Sequence, residues 1–144
     1  MKQEDQLVQK LEHENFIVGK RKDGIYHVYL KDGAVLDLKL QSEMVYFYDK
    51  ITDGVPGVFI FEAGHKCSIT KQARDNAIVI EEYTPIKASV VYVQNQVYKM
   101  IAAFFYRVNR PKQPYLIVSN FDDGIDRLLA QKVEKVTKKK VESR

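Results

Sequence analysis

The chain has 144 residues, of which 45% are hydrophobic and 29% are charged. This length and composition fit one domain with a single core, and they exclude a wholly disordered or collagen-like protein. Cys67 is the one cysteine, so no disulfide can form within the chain. The net charge of +4 arises entirely in residues 132–144, which carry six basic and two acidic side chains. The neutral remainder argues against a nucleic-acid partner.

Neither end of the chain predicts export or a membrane span. The first fifteen residues lack the apolar core of a signal peptide, and no apolar run approaches the roughly 20 residues that a spanning helix needs. We therefore expect a cytoplasmic protein.

The N-terminal part predicts a helix and then a β-meander. Leu7, Val8 and Leu11 recur at helical spacing among charged residues, which predicts an amphipathic helical segment within residues 1–15. Three β-prone runs follow, at residues 16–18, 25–30 and 34–38. The Asp-Gly pairs at 23–24 and 32–33 separate these runs and are strong hairpin signals, so we expect an antiparallel meander.

From residue 39 onward, helical and strand patterns alternate. The predicted helices cover residues 39–53, 71–80 and 95–109, with a last helix carrying Ile125, Leu128 and Leu129; the predicted strands cover 58–61, 88–93 and 115–118. Thr70 and either Ser119 or Asn120 are residue types that cap helix N-termini. The pattern predicts one domain over residues 16–131, followed by a basic tail over 132–144.

This order of elements resembles the SpoIIAA-like proteins, the STAS and SEC14-type group, over residues 16–131. The resemblance also rests on Ala73-Arg74, Phe104-Phe105, Asp122-Asp123 and the turn at residues 108–114. It implies an α/β fold in which an N-terminal β-meander precedes alternating helices and strands, with a mixed sheet flanked by helices. It further implies a stand-alone bacterial domain that binds and regulates.

The phosphorylation switch known in part of this family is not preserved residue by residue. In the anti-sigma-factor antagonists a regulated serine opens the helix after the central strand, where this chain has about Lys71 and Gln72. The neighbouring hydroxyls, Thr70 and Ser68, are therefore the candidate phospho-acceptors. A plain helix-capping hydroxyl is the alternative interpretation of Thr70.

No residue pattern predicts catalysis, a cofactor or a metal. His65 and Cys67 lie two residues apart but lack a third group that would complete a triad or a zinc site. The acidic pair Asp122-Asp123 suits the first turn of a helix, where the dipole favours carboxylates. The glycine-rich signatures of phosphate-binding loops are also missing. We expect a protein that is not an enzyme.

The predicted helix over residues 95–109 is apolar around nearly its whole circumference. One face carries Val97, Ile101, Phe104 and Val108, and a second carries Tyr98, Ala102 and Phe105. Such a helix is buried on more than one side or contacts another molecule. Besides packing within the chain, the second face is a candidate homodimer interface, partner surface or groove for an apolar ligand.

Three functions remain open from the sequence. The first is a non-catalytic regulatory module that acts through protein–protein contacts with an unidentified partner. The second is a SEC14-like carrier or sensor of a lipid or other apolar small molecule. The third is an enzyme, which would need a cleft that gathers His65, Cys67 or the acidic side chains.

Overall fold

A computed structural model describes the backbone of residues 1–142 and the side chains up to Lys132. The strands are β1 (Leu7–Glu12), β2 (Phe16–Arg21), β3 (Tyr26–Leu30), β4 (Val35–Leu36), β5 (Gly57–Ala63), β6 (Ser68–Ile69), β7 (Ile86–Tyr92) and β8 (Tyr115–Val118). The helices are α1 (Leu38–Thr52), α2 (Lys71–Val79), α3 (Gln96–Asn109) and α4 (Phe121–Glu142). The predicted basic tail therefore continues α4, and the side chains beyond Lys132 lie outside the described residues.

Six strands form one mixed sheet in the order β1-β2-β3-β5-β7-β8. β1, β2 and β3 pair antiparallel, and β3, β5, β7 and β8 pair parallel. A helix connects each parallel strand to the next, as parallel pairing requires. β4 and β6 form a separate parallel pair. The predicted mixed sheet with flanking helices is confirmed.

The prediction of an N-terminal helix is wrong. A single turn of 3-10 helix at Glu4–Gln6 leads directly into strand β1, which pairs with β2. Leu11 lies opposite Val18, and the Leu7 side chain covers the bare backbone of Gly19, where a Cβ atom would lie 2.6 Å from it. Pairing with β2 therefore provides hydrogen bonds for the backbone of this segment and gives both leucines a contact with β2.

The structure contains the predicted antiparallel meander, but its three strands are not the three that were predicted. β1, β2 and β3 form it, whereas the run predicted over residues 34–38 contributes only β4, which pairs with β6. The turn after β3 turns the chain away from the sheet. Gly33 adopts a φ of 77° there, a conformation that glycine accepts without strain.

Side chains at all four helix N-termini accept a backbone hydrogen bond, which stabilises each first turn. The bonds run from Leu40 N to Asp37 Oδ1 (2.9 Å), Ala73 N to Thr70 Oγ1 (3.1 Å), Tyr98 N to Asn95 Oδ1 (2.9 Å) and Asp123 N to Asn120 Oδ1 (2.9 Å). The predicted caps Thr70 and Asn120 are thus confirmed.

The sheet separates two apolar cores. Alternate residues of β5 point in opposite directions: Phe59 packs with α1, and Ile60 packs with α4. α2 and α3 lie on the α1 side. On the other side, Gly124 lets α4 approach the sheet closely: a Cβ atom at Gly124 would lie 2.9 Å from Val90 Cγ1 and 3.0 Å from Val118 Cγ2.

Candidate functional site

A cavity of about 330 Å³ lies between the sheet and the helices α1, α2 and α3. Its floor includes Val28, Phe61 and Val91 from three parallel strands, and its walls include Met44 and Tyr48 from α1. The opposite side of the sheet is covered by α4, beside which a second pocket of about 460 Å³ lies against β7 and β8. The two faces of β7 differ in burial: Ala88 and Val90 face α4 and are buried, while Ser89 and Val91 face the cavity and are only half-buried.

The third side of the cavity is formed by α3. Tyr98, Ala102 and Phe105, the residues that the sequence proposed for an interface or ligand groove, all line it. Ala102 is 6% exposed, and the Phe105 ring lies 5.5 Å from the ring of Tyr115. The structure therefore brings these three together as a cavity wall. They do not form the outward patch on which the predicted homodimer contact was based.

The hydroxyl of Tyr98 fixes the first turn of α3 over the loop that follows the central strand β5. Tyr98 Oη donates to the carbonyl of Gly64 at 2.5 Å and accepts from the backbone N–H of Cys67 at 3.0 Å. Burial raises the pKa of Tyr98, so the hydroxyl stays protonated and able to donate at neutral pH. At the other end of α3, Asn109 Nδ2 donates to Asp75 Oδ1 of α2 at 3.0 Å.

Several polar groups of the cavity wall are already engaged within the chain. Gln41 donates to the carbonyl of Ala73 and accepts from Asn76 Nδ2, both at 2.8 Å. Glu81 accepts from the backbone N–H groups of Lys112 and Gln113. The cavity therefore presents mainly apolar surface to an occupant.

Buried phenols on the wall are held in the neutral form. Burial raises the pKa of both Tyr48 and Tyr115 well above the ordinary value of 10.0. The Tyr115 hydroxyl donates to the carbonyl of Ala102 at 3.3 Å, which joins β8 to α3. Both rings contribute apolar surface at physiological pH.

Sequence reasoning missed a buried polar cluster on the α4 side of the sheet. His27 of β3 is fully buried, and its Nε2 donates to Glu62 Oε1 of β5 at 2.8 Å. Gln94 Nε2 donates to Glu62 Oε2 at 3.0 Å. The His27 ring also lies 5.1 Å from that of Phe121, and its Nδ1 has no partner within the described part of the chain. No sequence spacing links residues 35 positions apart, so this cluster has no local signal.

The remaining candidate residues do not converge on one site. The Thr70 hydroxyl caps α2, and the exposed Ser68 lies in β6 opposite Val35. Cys67 Sγ lies 3.2 Å from the carbonyl of Lys31, and His65 is exposed. Across the described residues, no group of three His, Cys, Asp or Glu side chains could hold a metal ion.

The outward surface of α3 is unusually apolar. Four side chains along it, which we call the outer stripe, are Val97 (64% exposed), Met100 (63%), Phe104 (44%) and Val108 (58%). Within residues 1–142, none of the helices is both long and apolar enough to span a bilayer. Because α3 packs on the domain through Tyr98, Ala102 and Phe105, the outer stripe lies on the surface.

The mixed sheet, its helices and its topology define this protein as an α/β domain of SpoIIAA-like fold, which confirms the fold that the resemblance implied. The chain belongs to the family described as a domain of unknown function, DUF7793, whose model matches residues 20–131. A solved structure of similar fold is an uncharacterised protein of the DUF3478 family with a SpoIIAA-like fold, from Shewanella loihica PV-4. It aligns with a TM-score of 0.55 at 10% identity, over 83% of this chain and 98% of that chain. No curated protein matches the sequence.

Proposed function

We propose that this domain is a non-catalytic binding module that carries or senses an apolar small molecule in the cavity beneath α3. The observation that supports this function is the cavity itself, about 330 Å³ and lined mainly by apolar side chains. Ligand sites in proteins commonly measure about 300–1,000 Å³ and have this lining. The SEC14-like alternative drawn from the sequence is thus the one that the geometry favours.

The engaged polar groups define the chemistry of the ligand. A ligand group that needs hydrogen bonds would lose its water on entry, and Gln41 and Glu81 already hold partners within the chain. Such a loss costs about 1–3 kcal/mol for each group left unpaired. We therefore expect a hydrocarbon-like ligand, with any polar end left at the solvent-exposed mouth.

The test combines native mass spectrometry of the protein purified from cells with titration of a neutral apolar dye, N-phenyl-1-naphthylamine. Ala102→Phe places a ring in the cavity, since Ala102 lines it and is buried. Ala103→Phe is the matched control, because Ala103 is the next residue of α3 and does not line the cavity. We expect dye affinity to fall about tenfold or more in the first variant and to change little in the second.

Two results would overturn the proposal. One is an apo mass from cells together with no saturable dye binding by the wild-type chain. The other is equal dye affinity in the two variants while both keep the circular dichroism spectrum of the wild type. Equal affinity would place the dye outside the cavity.

A regulatory module that acts through protein contacts is the second candidate, and an open sheet edge favours it. β1 pairs only with β2 in the described part of the chain, and Val8 is 62% exposed on it. Such an edge can accept a strand from another chain, including a second copy. If a second copy pairs with this edge, light scattering should give about twice the mass of one chain, and Val8→Lys should lower that mass toward one chain. The mass of a single chain at every concentration would exclude self-association through this edge.

A further inference from the structure

We propose that the outer stripe of α3 docks on the surface of an anionic lipid bilayer. This inference goes beyond the cavity and does not depend on which molecule the cavity holds. It rests on two properties of the same region, its exposed apolar side chains and its surplus of positive charge.

The apolar side chains lie on a helix surface that would ordinarily be polar. Val97, Met100, Phe104 and Val108 are 44–64% exposed although α3 has a second, inward apolar face to pack on the domain. A helix with one face packed normally turns charged and polar groups to solvent. An exposed apolar stripe on such a helix indicates a contact surface.

The segment that contains α3 carries charge of one sign only. Residues 83–121 contain no acidic residue, and their basic residues are Lys87, Lys99, Arg107, Arg110 and Lys112. The last four are exposed, and none of their charged groups forms an ion pair with any residue that the structure describes. The Arg74 guanidinium of α2 adds to them, since it lies 5.5 Å above the Phe104 ring.

Among the residues that the structure describes, acidic side chains near α3 do not pair with the exposed basic residues of this segment, which we call the basic rim: Lys99, Arg107, Arg110 and Lys112. Asp75 is bonded to Lys71 and Asn109, and the Glu81 carboxylate accepts from backbone N–H groups of the loop after α3. An apolar helix face beside unpaired lysines and arginines is the arrangement that inserts at the headgroup level of anionic membranes.

Charge also decides against a second copy as the occupant. A two-fold contact places the same patch of both copies face to face. Arg107 and Arg110 would then approach a second basic rim in place of compensating carboxylates. An anionic bilayer offers both the apolar phase for Met100 and Phe104 and the negative charge for the rim.

The experiment measures co-sedimentation of the full chain with vesicles of phosphatidylcholine and phosphatidylglycerol, and with vesicles of phosphatidylcholine alone. We expect binding to the mixed vesicles, weakened by salt. The double substitution Met100→Glu and Phe104→Glu should weaken binding about tenfold or more, while Tyr46→Glu, at a 64% exposed aromatic of α1, should not. Arg107→Gln should weaken binding more than Lys50→Gln, a substitution at an exposed lysine of α1.

Three outcomes would overturn the proposal. In the first, the wild-type chain does not bind the mixed vesicles. In the second, the double variant binds as well as the wild type, which would assign binding to the basic residues 132–144. In the third, the wild-type chain is a dimer that leaves vesicles unbound and that the double substitution dissociates, which would identify a second copy as the occupant. Dye titration of the double variant is the control. Unchanged dye affinity shows an intact cavity and separates this inference from the proposed ligand binding.

Discussion

The hydrogen bond between His27 and Glu62 should make a large and cooperative contribution to stability. His27→Leu leaves the Glu62 side chain, which is 9% exposed, with Gln94 as its remaining partner. Loss of a bond to a buried carboxylate costs about 2 kcal/mol. Glu62→Leu leaves both nitrogens of the fully buried His27 ring without a partner, at a similar cost of about 2 kcal/mol.

The double variant should be more stable than the sum of the two single effects predicts. Replacing both partners by apolar side chains of similar size removes both unpaired groups, and such replacements are often nearly neutral. We expect the double variant to lose about 1 kcal/mol, which corresponds to a coupling energy of about 3 kcal/mol. In a chain of this length each single variant should lower the Tm by about 6 °C.

Urea unfolding followed by far-ultraviolet circular dichroism at neutral pH measures these free energies. Gln94→Leu is the control: its bond to Glu62 Oε2 is exposed, so water can replace the lost donor, and the free energy of unfolding should change by about 0.5 kcal/mol or less. Additivity of His27→Leu and Glu62→Leu to within about 0.5 kcal/mol would refute the reasoning. It would mean that the bond contributes nothing beyond the packing of each side chain.

Three further substitutions test the fold. Gly124→Ala should lower the free energy of unfolding by about 1–2 kcal/mol although alanine favours helices, because its Cβ would lie 2.9 Å from Val90 Cγ1. Val90→Ala should relieve part of this loss in a double variant. A Gly124→Ala variant more stable than the wild type would contradict the close approach. Thr70→Ala should cost about 1 kcal/mol in urea unfolding because Ala73 N loses its acceptor, and Thr70→Ser should restore it; equal stability of the two would exclude the cap. Burial raises the pKa of Tyr48, so its neutral phenol stabilises the fold fully below pH 10.0 and this contribution is lost as pH rises above that value. Tyr48→Phe should therefore lose less stability than the wild type between about pH 9 and about pH 11, as urea midpoints at each pH would show.

After residue 39, local sequence signals determined most of the helices and the order in which helices and strands follow one another along the chain. Apolar periodicity marked α1, the apolar run over residues 95–109 marked α3, and the capping residue types at Thr70 and at Ser119 or Asn120 marked the starts of α2 and α4. These signals act within a few residues of the chain, so they are readable without the fold. Together with the element order they also supported the SpoIIAA-like fold.

The N-terminal segment shows where a local pattern is ambiguous. Leu7 and Leu11 fit one face of a helix, yet they also fit a strand that covers Gly19 and faces Val18. Backbone pairing with β2 decided between the two, and it depends on the hairpin that brings Leu11 opposite Val18 rather than on the spacing of the leucines. Intrinsic helix preference is too weak to prevent such a tertiary contact.

Only the tertiary structure decided which apolar face of α3 is used inside the domain. The sequence showed two such faces, and a helical pattern by itself carries no information on where the sheet lies. The fold turns Tyr98, Ala102 and Phe105 to the cavity and leaves Met100 and Phe104 in solvent. The cavity and the bond between His27 and Glu62 likewise depend on strands brought together by crossovers. Their geometry is set by packing between distant segments, which no local pattern records.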